Sequence, residues 1–317
     1  MRIRNLLGTC ALLLAALGVQ ANDDWPTKPI RVVVPYAPGG VVDVQTRAVV
    51  QRMEQELGQP IVVVPRPGAS ANVGAEAVAR AAPDGYTLLV SAAFTITNPM
   101  LSNNLRWKPE NFVPIARFAL SPSYFAVPTT LGVKSVKEYV DLAKATRPPL
   151  QYGDGGTGAP QTVANEVFKA LAGLPIEDVS YQGAPPILPD LGNGLLSMAV
   201  LPSTVALTAV QTGRIKVIAN FSATRSVQMP DVPTIAEAGY PGASVLSWYG
   251  LHAPVGTPAA VIKRIDDAVR VATRTDEVKT RLITAGGEEA YLGQAEFIEF
   301  IKSDTERWKR ITALTKR

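Results

Sequence analysis

Apolar and polar positions along this chain switch repeatedly between two periodicities. Residues 30–34 are a β-branched run closed by Pro35, which predicts a strand. Residues 44–57 place Ala48, Val49, Met53 and Leu57 at helical spacing before Gly58. A strand over 61–64, a helix over 72–81 and a strand over 87–90 follow, the last fed by the turn Pro83-Asp84-Gly85. Strands that read as continuous apolar runs predict a parallel sheet covered on both faces. A Pro-rich, less regular stretch occupies 98–123. The alternation then resumes, with strands over 124–127, 150–152, 178–181, 196–201, 215–220 and 248–251. Helices are expected over 136–145, with Ser135 as N-cap, and over 161–172. Three helices finish the chain, over 258–273, 276–285 and 295–314, with Pro258 as the first helical residue after Thr257.

Two similar α/β blocks emerge, 25–97 and 124–221, with no low-complexity linker and no short-period repeat. A tail that returns to the first block gives an α/β protein of two lobes. One comprises 22–123 with 222–317 and the other 124–221, each a mainly parallel sheet flanked by helices. Such a pair, hinged by crossing strands, encloses a small ligand in the cleft between them.

The N-terminus changes the setting. Arg2 and Arg4 precede the apolar run LLGTCALLLAALG, and Val19-Gln20-Ala21 is a small-x-small cleavage pattern. The run is too short to span a bilayer permanently, so residues 1–21 are expected to be a secretory signal. Cys10, the one cysteine, leaves with it, which excludes disulfides and thiol chemistry from the mature chain. Loss of the two arginines takes the net charge from +4 to +2. With no Lys/Arg cluster, nucleic-acid binding is not expected.

Candidate chemistry concentrates in loops at the carboxyl ends of strands. Gly153, Gly155 and Gly158 spell G-x-G-x-x-G between a strand and a helix, and Glu177 and Asp178 lie near the offset of a ribose-binding acid. That pattern admits a dinucleotide enzyme, but an exported protein seldom meets NAD. Tyr36, Ala37, Pro38, Gly39 and Gly40 form a comparable loop in the first block, and Tyr181-Gln182-Gly183-Ala184 a third. Glycines let N–H groups approach an anion, and the helix N-terminus behind them favours negative charge. Equivalent loops in two blocks suggest a shared carboxylate clamp. Asp43 is read as a helix cap. Asp154 is either an Asx-turn residue or a ligand group for a hydroxyl or amine. Trp248 and Tyr249 are read as core, or one of them as a cleft wall. His252 is the single histidine, so a His-rich metal site is absent. A serine hydrolase would need Ser70 with His252, in a stretch that fails the last glycine of G-x-S-x-G.

Specific runs also carry a family likeness. Trp25-Pro26-Thr27-Lys28-Pro29-Ile30 leads into Val33-Val34-Pro35-Tyr36-Ala37-Pro38-Gly39-Gly40-Val41-Val42-Asp43. Later come Ala82-Pro83-Asp84-Gly85-Tyr86-Thr87-Leu88-Leu89, Gln151-Tyr152-Gly153, Asp231-Val232-Pro233-Thr234, Gly250-Leu251-His252-Ala253-Pro254 and Gly256-Thr257-Pro258. Together they resemble the Bug family, the TctC-type solute-binding proteins of tripartite tricarboxylate transporters. The resemblance implies a periplasmic Venus-flytrap protein without catalysis or cofactor. It would be monomeric, binding a small carboxylate and delivering it to a permease of large and small subunits. It implies ligand contacts from Tyr36, Ala37, Pro38, Gly39, Gly40 and Asp43, and from Gly153, Asp154, Gly155, Gly156, Thr157 and Gly158. Gln182 and Gly183, Ser91, Ala92, Phe94 and Thr95, and a wall at Pro202 and Ser203, complete the implied set. Three departures stand out. Pro65-Arg66-Pro67-Gly68-Ala69-Ser70-Ala71 replaces the family's tendency to Asn-x-x-Gly-Ala-Gly-Gly. Asp154 stands where a small residue is common, and Gly183-Ala184 where Gly-Gly is common.

Overall fold

The computed structural model describes residues 25–156 and 160–315. The expected signal segment, Thr157 and Gly158 lie outside them. The first block runs β1 (Ile30–Val34), α1 (Val41–Leu57), β2 (Ile61–Pro65), α2 (Asn72–Ala79), β3 (Thr87–Ser91) and α3 (Phe94–Leu101). β4 (Phe112–Ser121) and β5 (Ser123–Pro128) follow, parted by Pro122 alone. The second block adds α4 (Val136–Ala145), β6 (Gln151–Asp154), α5 (Pro160–Ala172), β7 (Glu177–Ser180), α6 (Ile187–Gly192), β8 (Met198–Pro202), α7 (Ser203–Val210) and β9 (Ile215–Asn220). The return comprises β10 (Ser247–Pro254), α8 (Ala259–Arg274), α9 (Asp276–Thr284), β11 (Glu288–Leu292) and α10 (Gln294–Thr315).

Two sheets result, with orders β11-β4-β10-β3-β1-β2 and β7-β6-β8-β5-β9. In each, a parallel three-stranded unit made by β–α–β crossovers is extended by antiparallel strands. The antiparallel strands are those that carry the chain between sheets. β4 runs out of the first sheet and, after one proline, β5 enters the second. Ser247 of β10 pairs with Ser121, and the Phe221 N–H donates to Ser123 O at 2.8 Å. The two crossings therefore lie side by side.

Three elements were hidden from the periodicity. α3 and β4 occupy the stretch read as irregular, because Pro99 sits inside the helix and Pro114 inside the strand. Pro114 lies beyond the segment paired with β11 and beside a register shift against β10, a position that tolerates a missing donor. β11 is an edge strand of half-buried residues with two glutamates, so it has no apolar run to announce it. α1 begins at Val41, three residues earlier than its spacing suggested, with Gly40 as N-cap. Ser135 caps α4 by accepting from the Glu138 N–H at 3.2 Å. Pro258, expected as the first residue of its helix, is instead the N-cap of α8.

The segment 233–246, expected with the first lobe, packs on the second. Ile235, Ala243, Val245 and Leu246 join the core around Phe125 and Phe168, and Tyr240 meets Phe168 edge-on at 5.2 Å. α10 ties this core to the first sheet. Phe297 is fully buried, 5.5 Å from the Trp248 ring and 5.4 Å from His252, while Trp308 and Ile311 pack with the second lobe's residues. A residue in such a position contributes both transfer free energy and cavity avoidance. Phe297→Ala is therefore expected to lower unfolding free energy by about 3–5 kcal/mol, read from urea denaturation.

Candidate functional site

Residues of both sheets meet around a cavity of about 170 Å³. The first lobe supplies Val41, Ser121, Ser247, Tyr249 and Gly286, and the second supplies Pro160, Gln161, Pro202, Ser203 and Thr204. The lobes approach closely here. A Cβ on Gly286, at φ +70°, would come within 2.4 Å of Thr204 Cγ2. Three of the lining segments are helix starts: Val41 opens α1, Pro160 opens α5 and Ser203 opens α7. Each N-terminus carries about half a positive charge on unsatisfied N–H groups. Gly40 and Pro202, the N-caps of α1 and α7, give no side-chain cap bond. Among the described residues no lysine, arginine or carboxylate lines the cavity. The arrangement brings three helix starts, with their partial positive charge, to one small cavity.

Hydroxyl groups and amides finish the lining. Gln45 Nε2 donates to Ser121 Oγ at 2.9 Å, and Gln161 Nε2 donates to Ser123 Oγ at 2.9 Å. Ser203 donates to Gln228 Oε1. Ser247 Oγ is buried without a hydrogen-bond partner. An orphaned buried hydroxyl at a cavity wall marks where a bound polar group or water belongs. Burial raises the Tyr249 pKa, so this wall stays neutral.

The sequence-predicted residues divide. Pro202 and Ser203 line the cavity, as does Tyr249, whereas Trp248 is core, its Nε1 donating to Asp304 Oδ2 at 2.8 Å. Tyr36, Ala37, Pro38, Gly39 and Gly40 immediately precede Val41 but are not among its lining residues. Gly153, Asp154, Gly155 and Gly156, four to seven residues before Pro160, are not among the lining residues either. The Gly39 N–H is taken by Asp43 Oδ2 at 3.0 Å, so the carboxylate fixes the loop from behind. Burial alone would raise the Asp43 pKa, but hydrogen bonds from Arg47 and Gly39, with the Arg47 charge, bring it below the ordinary carboxylate value. The ion pair also keeps Asp43 from cancelling the field of α1.

Asp154 forms an Asx turn. Its Oδ1 accepts from the Gly156 N–H at 2.9 Å and from Thr162 Oγ1. Gln182 and Gly183 sit on the neighbouring loop, where the Gly183 N–H donates to Gly155 O at 3.0 Å. Ser91, Ala92, Phe94 and Thr95 are buried in the first lobe, with Phe94 edge-on to Tyr36 at 6.3 Å, and none of the four lines the cavity. Ser121, Gln161, Ser247, Thr204 and Gly286 were not predicted. Ser121 and Ser247 carry a sequence signal, as small polar residues at the ends of crossing strands, and the other three carry none.

The dinucleotide and hydrolase alternatives find no matching geometry. Gly153 is needed for packing, since a Cβ there would lie 2.6 Å from Ile187 Cγ2. Ser70 is exposed on its loop. His252 lies in the core between the Phe112 and Phe297 rings with Nδ1 unpartnered, and burial pulls its pKa down to about 3.

Two α/β lobes, each built on its own sheet, with a cavity lined from both and free of charged lining residues, are the architecture of a two-lobed solute-binding protein of the Venus-flytrap class. The profile of the tripartite tricarboxylate transporter family receptor, TctC, matches residues 45–315, and the chain belongs to that family. A UPF0065 protein from the tcbD-tcbE intergenic region of a Pseudomonas species is 30% identical to it, covering 97% of this chain and 93% of its own length. BugT of Bordetella pertussis is 27% identical, covering 99% and 98%. Among solved structures, a ligand-free TctC solute-binding protein from Polaromonas superposes with TM-score 0.81 at 25% identity, covering 91% of this chain and 99% of the other. Rpa4515 of R. palustris, with adipate, gives 0.76 at 28%, covering 92% and 99%. MatC of Rhodopseudomonas palustris, with bound malate, gives 0.70 at 28%, covering 90% and 99%.

His252 yields a pH test. Its folded pKa lies below its unfolded value of about 6.5, so in between the unfolded chain binds the extra proton and stability falls with falling pH. Unfolding free energy is expected to drop by about 1.4 kcal/mol per pH unit from pH 6 to 5 through this group. His252→Leu removes that slope, as urea titrations at each pH will register.

Proposed function

We propose that this protein is an extracytoplasmic receptor that closes its lobes around a small carboxylate and delivers it to the large and small subunits of a tripartite tricarboxylate-type permease. The observation that carries the reading is the convergence of three helix N-termini on a cavity with no charged side chain among its described lining residues. Such a site favours an anion through oriented N–H groups and demands little of the ligand beyond a compact acidic group. The cavity lies below the range of about 300–1,000 Å³ for drug-sized ligands, which fits a small acid. Adipate and malate in the related structures support the same chemistry.

In this reading the loops at 36–40 and 153–158 and the turn at 182–183 frame the ligand's entrance. The two lobes, with 233–246 carried on the second, close over it. The basic and apolar N-terminus directs export to the periplasm, where the receptor acts as a monomer without cofactor and without turnover. Among the described residues no helix is long and apolar enough to cross a membrane.

Thermal unfolding with a panel of mono-, di- and tricarboxylates tests the proposal. An acid present at 100 times its dissociation constant should add about 2.7 kcal/mol of stability. Ser247→Leu, which fills the cavity, should abolish that gain while the ligand-free protein still unfolds cooperatively. Unchanged melting across the whole panel would overturn the reading.

A further inference from the structure

The hydroxyl groups around the cavity are not equivalent in what they offer a ligand. Gln228 stands on the segment that crosses between the lobes, and its Nε2 donates to the carbonyl of Gly287 at 2.8 Å. A carbonyl oxygen only accepts, so the amide cannot be turned around. Its Oε1 must therefore face Ser203 and takes the Ser203 hydroxyl hydrogen, while Tyr124, the other hydroxyl at Ser203, gives its own hydrogen to Ser226 Oγ at 2.6 Å. What Ser203 retains for the cavity is lone pairs. Gln161 gives an amide hydrogen to Ser123 Oγ at 2.9 Å and keeps Oε1 as a second acceptor on the same lobe. On the opposite lobe, Ser121 Oγ accepts from Gln45 and is hydrogen-bonded to the Tyr249 hydroxyl, so one hydrogen of that pair is left to donate. Ser247 Oγ, buried and unpartnered, is free to do either.

A plain carboxylate has no hydrogen to give. It satisfies the helix N–H groups and Ser121, but it leaves the acceptors of the second lobe facing it unpaired. A group that donates must fill that place. An ammonium would donate too, but three helix N-termini repel a cation, and no carboxylate lines the cavity to offset it. A neutral hydroxyl meets both conditions.

We propose that the cavity selects a carboxylate that also carries a hydroxyl group, and that Gln228 sets this selectivity by holding Ser203 as a hydrogen-bond acceptor. The inference rests on the carboxylate reading above and narrows it. Gln228 acts as a positioning residue, since it reaches the ligand through Ser203.

Calorimetric titration with matched triplets tests it: succinate, malate and aspartate, then glutarate, 2-hydroxyglutarate and glutamate. In the wild-type protein the hydroxy acid should bind roughly fivefold tighter than its plain counterpart. It should bind more than roughly tenfold tighter than the amino acid. Gln228→Met releases the Ser203 hydrogen, so the hydroxy-to-plain ratio should fall at least threefold while the plain acid binds as well as before or better. Ser203→Ala, a smaller change at the same contact, should lower the ratio in the same way and serves if the first variant fails to fold. Equal affinity for plain and hydroxy acids overturns the inference and leaves the carboxylate reading standing. So does an unaltered ratio in both variants, or tightest binding of the amino acid. If no member of either triplet binds, the carboxylate reading falls, and this inference with it.

Discussion

Three helices end their dipoles in one small gap, and much of the surrounding structure follows from keeping those ends aimed there. An N-terminal turn holds unsatisfied N–H groups whether or not a ligand is present. Three such turns facing one another repel, and only an anion or water relieves them. The fold supports the arrangement from outside the gap. Asp43 grips the Gly39 N–H and is itself held by both ends of the Arg47 fork. Its negative charge is thus spent on the loop and its partner. Asp154 performs the same task in the other lobe, with Thr162 and the Gly156 N–H as its partners. Two carboxylates near an anion site would ordinarily weaken it. Here each is turned inward to build the turn that leads into a helix.

The position of the gap follows from the way the chain crosses. β4 and β5 are almost one strand, broken at Pro122, and β10 returns beside them. Ser121, Ser123 and Ser247 mark these crossings, where the backbone changes sheet and large side chains have no room. The glutamines at 45 and 161, each one turn or less into a helix that begins at the cavity, reach back to two of those serines. Helix starts and crossing strands are therefore locked together by side-chain amides. α10 closes the far side, with Phe297 against Trp248 and His252 of β10 and Trp308 packed with the second lobe's residues.

Much of this was legible in sequence, and the limits have physical causes. Parallel strands buried on both faces show as apolar runs, so β1, β2, β3 and β8 stood out, whereas β6 and β7 carry polar residues and little of that signal. β4 and β11 did not, because one is interrupted by Pro114 and Arg117 and the other is a charged edge. The glycine loops were visible as anion-loop candidates, but the cavity wall lies one step beyond them, at Val41 and at Pro160 with Gln161. Loops announce themselves by composition, whereas the first residues of a helix look like any others. Ser121, Ser247 and Gly286 come together from distant parts of the chain, and no local pattern could have assembled them. The departure at 69–71 is also informative. Ala69, Ser70 and Ala71 all take positive φ, at 47°, 53° and 74°. The backbone there keeps the shape that a glycine-rich version would adopt freely, and the Asn98 side chain, donating to Ser70 O at 2.7 Å, helps hold it.

Using backbone dipoles in place of a lysine or arginine has a consequence for selectivity. A guanidinium carries its own charge and its own flexible tether, so it follows an acid of almost any shape. Helix N–H groups are fixed by the fold and reward only an acid that sits where all three ends point. Discrimination then passes to the neutral groups around the rim, and their donor or acceptor state is decided by partners such as Gln45 and Gln228. Because those partners lie on opposite sides of the crossing, the polarity of the wall is complete only when the lobes are together. In the receptor proposed above, closure around an anion would also set which hydrogens the cavity can accept.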